Sequence, residues 1–260
     1  MENCQWETLS PSLKICITGE HRFGIDAFLL SDFARVRGRD RAVDLGTGCG
    51  IIPLLWFRQR GPQVAYGVDL QEQAIWQLNQ SVQHNGLQDR LIPVQGDLRE
   101  IRTLFPPQQL DGYFDVVTCN PPYYQGGKAG LLSRDAHRQT ARHELSCTLQ
   151  DVCTAARWLL KYGGRLCICH KPQRLPDAIC AMREQGLEPK RLRMVQQTPQ
   201  RAPWLFLLEG RRGAKPGLEI MEPLLVQGEG GYSPEVLRIY GKECNLCPDG
   251  SLLSELPSEI

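Results

Sequence analysis

A glycine-rich segment between two apolar runs constrains the fold more than any other feature of this sequence. The segment reads Asp44-Leu45-Gly46-Thr47-Gly48-Cys49-Gly50, and the mainly apolar residues 51–57 follow it. Glycines at alternate positions permit backbone angles that a β-carbon disfavours, and they leave the backbone open to a ligand. The pattern predicts a strand, a tight turn and a buried helix in direct succession.

The spacing of these glycines argues against a dinucleotide cofactor. A dinucleotide-binding loop has the pattern Gly-x-Gly-x-x-Gly, whose third glycine would fall at position 51 if Gly46 were the first. Position 51 is occupied by Ile51. A nicotinamide-dependent oxidoreductase is therefore a weak interpretation.

Strand-like and helix-like patterns alternate along most of the chain. Predicted strands cover residues 41–45, 63–69, 91–98, 114–119 and 165–170, and predicted helices cover residues 51–57, 72–85, 148–162 and 172–185. This alternation is typical of an α/β fold with a mostly parallel, doubly wound sheet that binds ligands at the carboxyl ends of its strands. Residues 191–197 and 204–209 have only a short connection, which predicts an antiparallel hairpin at the sheet edge. A short hairpin is also predicted around residues 13–17, with its turn at Gly19-Glu20.

Two acidic residues stand at positions where ligand contacts are expected. Asp69 ends the second predicted strand after the glycine loop, where a carboxylate can accept hydrogen bonds from both hydroxyls of a ribose. The alternative is that Asp69 caps the next helix. Asp26 precedes an apolar helix and has two interpretations, a helix cap and a lid residue near a cofactor.

The segment Asn120-Pro121-Pro122-Tyr123 directly follows the strand predicted over 114–119. The exocyclic nitrogen of adenine or guanine, like an amide nitrogen, is a poor nucleophile because its lone pair is delocalised. The Asn120 amide oxygen and the Pro121 carbonyl can accept its two hydrogens, because the two prolines fix the direction of the backbone. Tyr123 can stack on an extruded base. The alternative is a proline-rich turn without function.

These motifs together resemble those of the bacterial tRNA(Val) (adenine-37-N6)-methyltransferases, a family of class I S-adenosylmethionine-dependent enzymes. The resemblance covers the chain up to about residue 241 and rests on residues 24–34, 44–55, 120–124, 142–144 and 231–236. It implies a Rossmann-like class I methyltransferase fold, whose seven-stranded, mostly parallel, doubly wound sheet has one reversed edge strand. It also implies S-adenosyl-L-methionine as the cofactor and tRNA as the substrate.

The resemblance implies roles for individual residues. The implied catalytic residues are Asn120, Pro121, Pro122 and Tyr123. The implied cofactor-binding residues are Asp26, Asp44, Gly46, Thr47, Gly48, Gly50, Asp69, Leu70, Asp97, Leu98 and Asn120. Asp97 would accept a hydrogen bond from the exocyclic amine of the cofactor adenine, and the alternative is an ordinary turn aspartate after Gly96.

The Asn-Pro-Pro-Tyr motif alone leaves the methyl acceptor open. Enzymes that methylate adenine in DNA, guanine in ribosomal RNA and glutamine in release factors share it. Outside the enzymes, the alternative is a non-catalytic RNA-binding module of the same fold, which would fail to bind the cofactor.

Charge is unevenly distributed along the chain. The net charge is +1, but residues 131–215 contain 16 Lys and Arg against 7 Asp and Glu, whereas residues 216–260 contain 2 against 8. A basic segment of this kind fits a polyanionic partner whose phosphates it neutralises. The predicted RNA-binding residues are Arg134, Arg138, Arg142, Lys190, Arg191 and Arg193.

Cysteine usage and hydropathy predict a cytoplasmic protein. The 11 cysteines are irregularly spaced, so we expect free thiols in a reducing compartment. Cys244 and Cys247 lack the second pair that a zinc site needs, and we expect no metal. No apolar run reaches membrane length, so we expect no membrane partner, and we expect a monomer. The chain divides into a hairpin and helix lid (1–40), a methyltransferase domain (41–215) and an acidic, partly ordered tail (216–260).

Overall fold

The computed structural model describes residues 4–18, 23–121 and 147–241. Near its start, β1 (Gln5–Ser10) and β2 (Leu13–Ile17) form an antiparallel hairpin. The strand predicted over 13–17 is confirmed, but its partner precedes it. The turn of this hairpin is therefore at residues 11–12, and the turn predicted at Gly19-Glu20 lies outside the described residues.

The main sheet has nine strands and is mostly parallel. Its strands are β3 (Arg41–Leu45), β4 (Val64–Asp69), β5 (Leu91–Gln95), β6 (Phe114–Cys119), β7 (Leu160–His170), β8 (Leu187–Gln196), β9 (Leu205–Arg212), β10 (Glu219–Ile220) and β11 (Leu224–Leu225). Their order across the sheet is β10-β8-β9-β7-β6-β3-β4-β5, and β11 also pairs with β8. Two further strands, β12 (Gln227–Gly228) and β13 (Gly231–Tyr232), form a separate ribbon.

Helices cover both faces of this sheet. They are α1 (Ile25–Ala34), α2 (Ile51–Trp56), α3 (Glu72–His84), α4 (Ile101–Leu104), α5 (Leu149–Leu159), α6 (Leu175–Glu184) and α7 (Pro234–Tyr240). One apolar cluster joins the sheet to α1, α2, α3, α7 and the β1–β2 hairpin, and a second joins it to α4, α5 and α6. Neighbouring residues of β3 point to opposite clusters, since Ala42 belongs to the first and Val43 to the second. The predicted doubly wound α/β fold is confirmed.

The reversed strand does not lie at the sheet edge, where it is predicted. β9 is antiparallel to both of its neighbours and lies between β7 and β8, so β8 takes the outer position. Leu205, Phe206, Leu207 and Leu208 are all buried. An unbroken apolar run suits a strand that is covered on both faces. The two strands beyond the predicted seven, β10 and β11, are two-residue additions to β8.

The helix predicted over 148–162 is shorter in the structure, and the strand after it is longer. Reciprocal hydrogen bonds between Thr148 and Asp151 form a capping box at the start of α5. Leu160 already pairs with Phe114 of β6, and the register shifts before Arg165 pairs with Val116. Residues 163–164 therefore lie in an irregularity of β7 and not at the end of a helix.

Residues 219–240 are part of the fold, whereas a partly ordered tail is predicted from residue 216 onward. β10 and β11 extend the sheet, and Val226, Val236 and Ile239 are buried in the core. Ser233 accepts a hydrogen bond from Val236 N at 3.3 Å and so caps α7. The prolines and glycines of the segment indicated a tail, but its apolar residues join the first apolar cluster, which also contains α1.

The structure joins Cys4 and Cys16 in a disulfide across the hairpin. The expectation of free thiols is therefore wrong for this pair. The irregular spacing of the cysteines gave no indication that these two would pair. The other described cysteines are free, and most of them are buried. No helix in the described residues has the length and apolar character needed to cross a bilayer.

Candidate active site

The glycine loop joins the carboxyl end of β3 to α2. Gly46, Gly48 and Gly50 all have positive φ, at 68°, 55° and 86°. A β-carbon on Gly46 or Gly48 would meet no atom within 4 Å, whereas one on Gly50 would lie 2.3 Å from Leu78 Cδ1. Gly50 is therefore needed for packing, and the other two form an open cradle in a backbone conformation that favours glycine.

Asp69 connects the end of β4 to this loop. Its Oδ2 accepts a hydrogen bond from Gly48 N at 2.8 Å, and its Oδ1 accepts one from Gln71 N at 2.9 Å. The residue is 8% exposed. Asp69 therefore does not cap α3, whose N-cap is Gln71 without a side-chain capping bond.

Asp44 lies beneath the cradle and is completely buried. Its Oδ1 accepts a hydrogen bond from Thr118 Oγ1 at 2.5 Å. The Thr47 hydroxyl is also buried and lies next to the Asp44 carboxylate. Burial raises the pKa of Asp44 to about 7, partly offset by the nearby Thr118 and Thr47 hydroxyls.

Asn120 follows the last residue of β6 and is held by side chains from two other elements. Its Nδ2 donates to Asp26 Oδ2 of α1 at 3.1 Å, and its Oδ1 accepts from Cys169 Sγ of β7 at 3.0 Å. Asp26 lies within the first turn of α1, whose N-cap is Gly24, so it is not the predicted cap of this helix. The structure thus brings Asp26 and Asn120 together at the carboxyl end of β6.

Asp97 occupies a different environment from the other acidic residues of the site. It caps a short 3₁₀ turn by accepting from Arg99 N at 2.9 Å, and its carboxylate also pairs with the Arg99 guanidinium. This pairing lowers the pKa of Asp97. Leu70 is 38% exposed, and Leu98 packs partly buried against the second apolar cluster. The cofactor roles of these residues stay predictions.

Two of the predicted RNA-binding arginines are engaged inside the fold. Arg191 pairs with the buried Glu209 through hydrogen bonds of 3.0 and 2.5 Å, and Arg193 pairs with Glu235 at 2.6 and 2.8 Å. Their side chains are only 13% and 15% exposed. We therefore withdraw both from the predicted RNA surface.

Other predicted site residues are partly or wholly beyond what the structure describes. Lys190 Nζ donates to the Lys215 carbonyl at 3.2 Å, and its predicted RNA contact stays open. The predicted residues outside the described ranges are Pro122, Tyr123, Arg134, Arg138 and Arg142.

Three further polar residues line this end of the sheet, and they were not predicted as site residues. Thr118 lies opposite Asp44 in the β3–β6 register, and Cys169 contacts Asn120. His170 is 7% exposed at the end of β7, and burial lowers its pKa to about 4, with a further contribution from Arg174 and Lys171. A polar residue at the carboxyl end of an apolar strand is the signal that could have identified Thr118 and His170. Within the described ranges, no three His, Cys, Asp or Glu residues are grouped to hold a metal ion.

Comparisons with known proteins agree with this architecture. A curated tRNA1(Val) (adenine(37)-N6)-methyltransferase of Porphyromonas gingivalis is 29% identical over 231 residues, which cover 84% of this chain and 86% of the relative. The crystal structure of a predicted O-methyltransferase of Agrobacterium tumefaciens has a TM-score of 0.65 at 19% identity, covering 84% of this chain and 97% of its own. Geranyl diphosphate C-methyltransferase of Streptomyces coelicolor, in a complex that contains S-adenosyl-L-homocysteine, has a TM-score of 0.51 at 15% identity and covers 72% and 79%.

A family model also matches the part of the chain that holds this site. The model is described as the methyltransferase small domain, and it matches residues 25–184. The matched range contains α1, the glycine loop, Asp69 and Asn120. It spans more than half of the chain. The chain therefore belongs to the methyltransferase small domain family.

Proposed function

We propose that this protein is an S-adenosylmethionine-dependent methyltransferase that modifies the exocyclic N6 of an adenine in tRNA, at position 37 of a tRNA(Val). The observation that carries the proposal is the position of Asn120. Its amide is fixed at the carboxyl end of β6, next to the β3 end that bears the glycine loop. The curated relative named above supplies the tRNA and the base position.

The residues at the end of β3 fit the proposed cofactor. The cradle at Gly46 and Gly48 is open at the positions where a β-carbon would project. The buried Asp44 carboxyl and the Thr47 hydroxyl next to it would present polar groups to the ligand beside this cradle. When bound, S-adenosyl-L-methionine supplies an electrophilic methyl group on a sulfonium.

Asp69, Asp97, Leu70 and Leu98 would hold the adenosine half of the cofactor. Each carboxylate oxygen of Asp69 accepts one backbone hydrogen bond, and a carboxylate oxygen can accept a second. Asp69 can therefore accept the ribose hydroxyls while it keeps the glycine loop in place. The two leucines would cover the adenine ring.

Asn120 and Pro121 would hold the nitrogen that is methylated. The Asn120 Oδ1 and the Pro121 carbonyl would each accept one amine hydrogen, which turns the nitrogen lone pair towards the methyl donor. Alignment of this kind supplies much of the rate acceleration in reactions between two bound groups. Tyr123 would stack on the base, and Pro122 would stiffen the backbone before it.

The proposed substrate is polyanionic, and Lys190, Arg134, Arg138 and Arg142 would contact its phosphates. Because tRNA occurs in the cytoplasm, we place the activity there, and we propose that the protein acts as a monomer.

The direct test is a methylation assay with nucleoside analysis. We would incubate the protein with labelled S-adenosyl-L-methionine and small RNA from a strain that lacks it, then analyse nucleosides by mass spectrometry. We expect N6-methyladenosine in the tRNA fraction. Asn120→Ala should lower turnover by about 100-fold or more, as does loss of one aligned transition-state hydrogen bond, with unchanged cofactor affinity.

The controls distinguish the other interpretations. Asn79→Ala, in α3, should behave as the wild type. Cofactor binding without label in any RNA would refute the tRNA substrate and favour a release-factor glutamine. Failure to bind the cofactor would refute the enzyme and favour a non-catalytic RNA-binding module.

A further inference from the structure

We propose that Asp26 is a positioning residue that sets the orientation of the Asn120 amide. This inference rests on the proposed function of Asn120. It gives Asp26 a role separate from cofactor binding, and it links helix α1 to the step that holds the target amine.

The Asp26 carboxylate is itself well oriented. Its Oδ1 accepts a hydrogen bond from Ala27 N at 2.9 Å, and its Oδ2 accepts one from Asn120 Nδ2 at 3.1 Å. The first bond fixes the carboxylate to the backbone of α1. The second bond therefore presents a fixed acceptor to a side chain that lies 94 residues away in sequence.

A carboxylate determines which way an amide faces. The oxygen and nitrogen ends of an amide have nearly the same shape, so hydrogen-bond partners decide its orientation. Both Asp26 oxygens accept hydrogen bonds in this arrangement, so it is the nitrogen end of Asn120 that faces Asp26. The oxygen end then faces β7, where Cys169 Sγ donates to it at 3.0 Å.

Cys169 makes the complementary contact from the opposite side. It is completely buried, and its thiol is a weak donor that suits a carbonyl oxygen better than an amide N–H₂ group. A carbonyl oxygen has two lone pairs. Asn120 Oδ1 can thus accept the Cys169 thiol and one substrate N–H together.

The orientation matters because only one end of the amide can hold an amine hydrogen. If the amide were reversed, its N–H₂ group would oppose the N–H₂ group of the substrate, and two donors would face each other. Asp26 prevents that reversal. Removing it should lower the fraction of productively held amine and leave the glycine cradle intact.

The kinetic experiment compares three variants with the wild-type enzyme. We expect Asp26→Ala to lower kcat by about 100-fold, the cost of a small misplacement of a reacting group, while the cofactor Kd stays within about twofold. Asp26→Asn keeps one acceptor oxygen but can also donate, so its kcat should fall by only about tenfold. The matched control is Asp32→Ala on the same helix, which removes an acid that pairs with Arg238 at 2.9 Å; its kcat should be unchanged.

A second experiment observes the amide without any RNA. The chain contains five asparagines, so protein labelled with [15N]asparagine has five side-chain amide signals, and Asn120→Ala identifies that of Asn120. We expect this signal to shift in Asp26→Ala and to stay in place in Asp32→Ala. An unshifted signal would overturn the proposal.

The two experiments separate failure of this inference from failure of the proposed function. A wild-type enzyme that methylates no RNA, with a shifted Asn120 signal in Asp26→Ala, would refute the function and leave the amide orientation supported. Normal kcat in Asp26→Ala would overturn the inference. So would a loss of cofactor affinity that saturating cofactor restores, because Asp26 would then be a cofactor ligand.

Variants of Cys169 test the same contact if Asp26→Ala does not fold. Cys169→Ser keeps a donor and should retain most of kcat. Cys169→Ala removes the donor and should lower kcat by about tenfold, whereas Cys167→Ala, also buried on β7, should have no such effect. Equal kcat in Cys169→Ala and Cys167→Ala would contradict a role for the Cys169 thiol in orienting the Asn120 amide.

Discussion

Asp69 accepts a hydrogen bond from Gly48 N at 2.8 Å, so the carboxylate at the end of β4 holds the loop at the end of β3. Both backbone hydrogen bonds that Asp69 accepts are part-buried. The loop conformation is therefore set by the protein before any ligand arrives, which lowers the entropic cost of binding.

Asp69→Asn tests this relationship. The amide nitrogen of Asn would face either Gly48 N–H or Gln71 N–H, so one donor would lose its acceptor. We expect the free energy of unfolding to fall by about 1–3 kcal/mol, and the affinity for S-adenosyl-L-methionine to fall by more than tenfold. Urea denaturation and calorimetric titration measure the two effects. Asp89→Asn, on an exposed turn, should change neither, and wild-type affinity in Asp69→Asn would exclude a ribose contact.

Gly46→Ala separates backbone strain from cofactor binding. Gly46 and Gly186 both have a φ of +68°, and a β-carbon at either position meets no atom within 4 Å. We expect Gly46→Ala and Gly186→Ala to lower the free energy of unfolding by a similar amount, about 1–2 kcal/mol, because both force alanine into the left-handed region. Only Gly46→Ala should also weaken cofactor binding, which thermal melts with and without the cofactor would show. If the cofactor raised the melting temperature of both variants equally, the cofactor would not bind at Gly46.

Asp44 should make stability depend on pH. Burial raises its folded-state pKa to about 7, well above the ordinary value of an aspartate, so between those two values the folded protein keeps a proton that the unfolded chain has already released. Stability therefore falls as pH rises through this window, by about 1.4 kcal/mol per pH unit at most, and levels off above it.

Asp44→Asn removes this dependence. The difference in the free energy of unfolding between the variant and the wild type should grow from pH 4 to pH 7 and reach on the order of 3–4 kcal/mol at pH 8. Urea denaturation at pH 5, 6 and 8 measures it, and other titrating groups cancel in the difference. A difference independent of pH would mean that Asp44 is ionised throughout.

Arg191→Ala should destabilise the fold and should not act through RNA. Glu209 is only 1% exposed, and the substitution would remove its main partner and the bond from Arg191 Nη2 to the Phe33 carbonyl at 3.0 Å. We expect a loss of about 3 kcal/mol, at the low end for a broken buried pair because Arg211 still contacts Glu209. Lys190→Ala is the neighbouring control for stability. If the Arg191→Ala protein were as stable as the wild type but bound tRNA more weakly, the predicted RNA contact of Arg191 would be supported after all.

Local pattern predicted the elements that hold the site. Asp69 ends an apolar strand, and Asn120 follows one, so their placement at the carboxyl ends of β4 and β6 follows from period and chain order alone. The glycines at 46, 48 and 50 also have the positive φ that their spacing predicts.

Contacts between segments that are distant in the chain could not be predicted from the sequence. Nothing near Arg193 indicates that Glu235 neutralises it, and four strands of the main sheet separate Asp26 from its partner Asn120 in the chain. The position of β9 depends on which neighbour covers its unbroken apolar run, and no local rule decides that. The clustered basic residues therefore predicted an RNA surface, whereas two of them, Arg191 and Arg193, form ion pairs within the fold.

The insertion of β9 between β7 and β8 has a consequence for synthesis on the ribosome. Until Arg212 has emerged, β7 has an open edge of unpaired N–H and C=O groups, and that strand bears Cys169 and His170. At about 5–20 residues per second, translation from Lys171 to Arg212 takes roughly two to eight seconds. During that interval the nascent chain already contains the glycine loop and Asn120, but the strand that completes the sheet between β7 and β8 is missing. The order of translation thus makes completion of the sheet one of the last events in building the site.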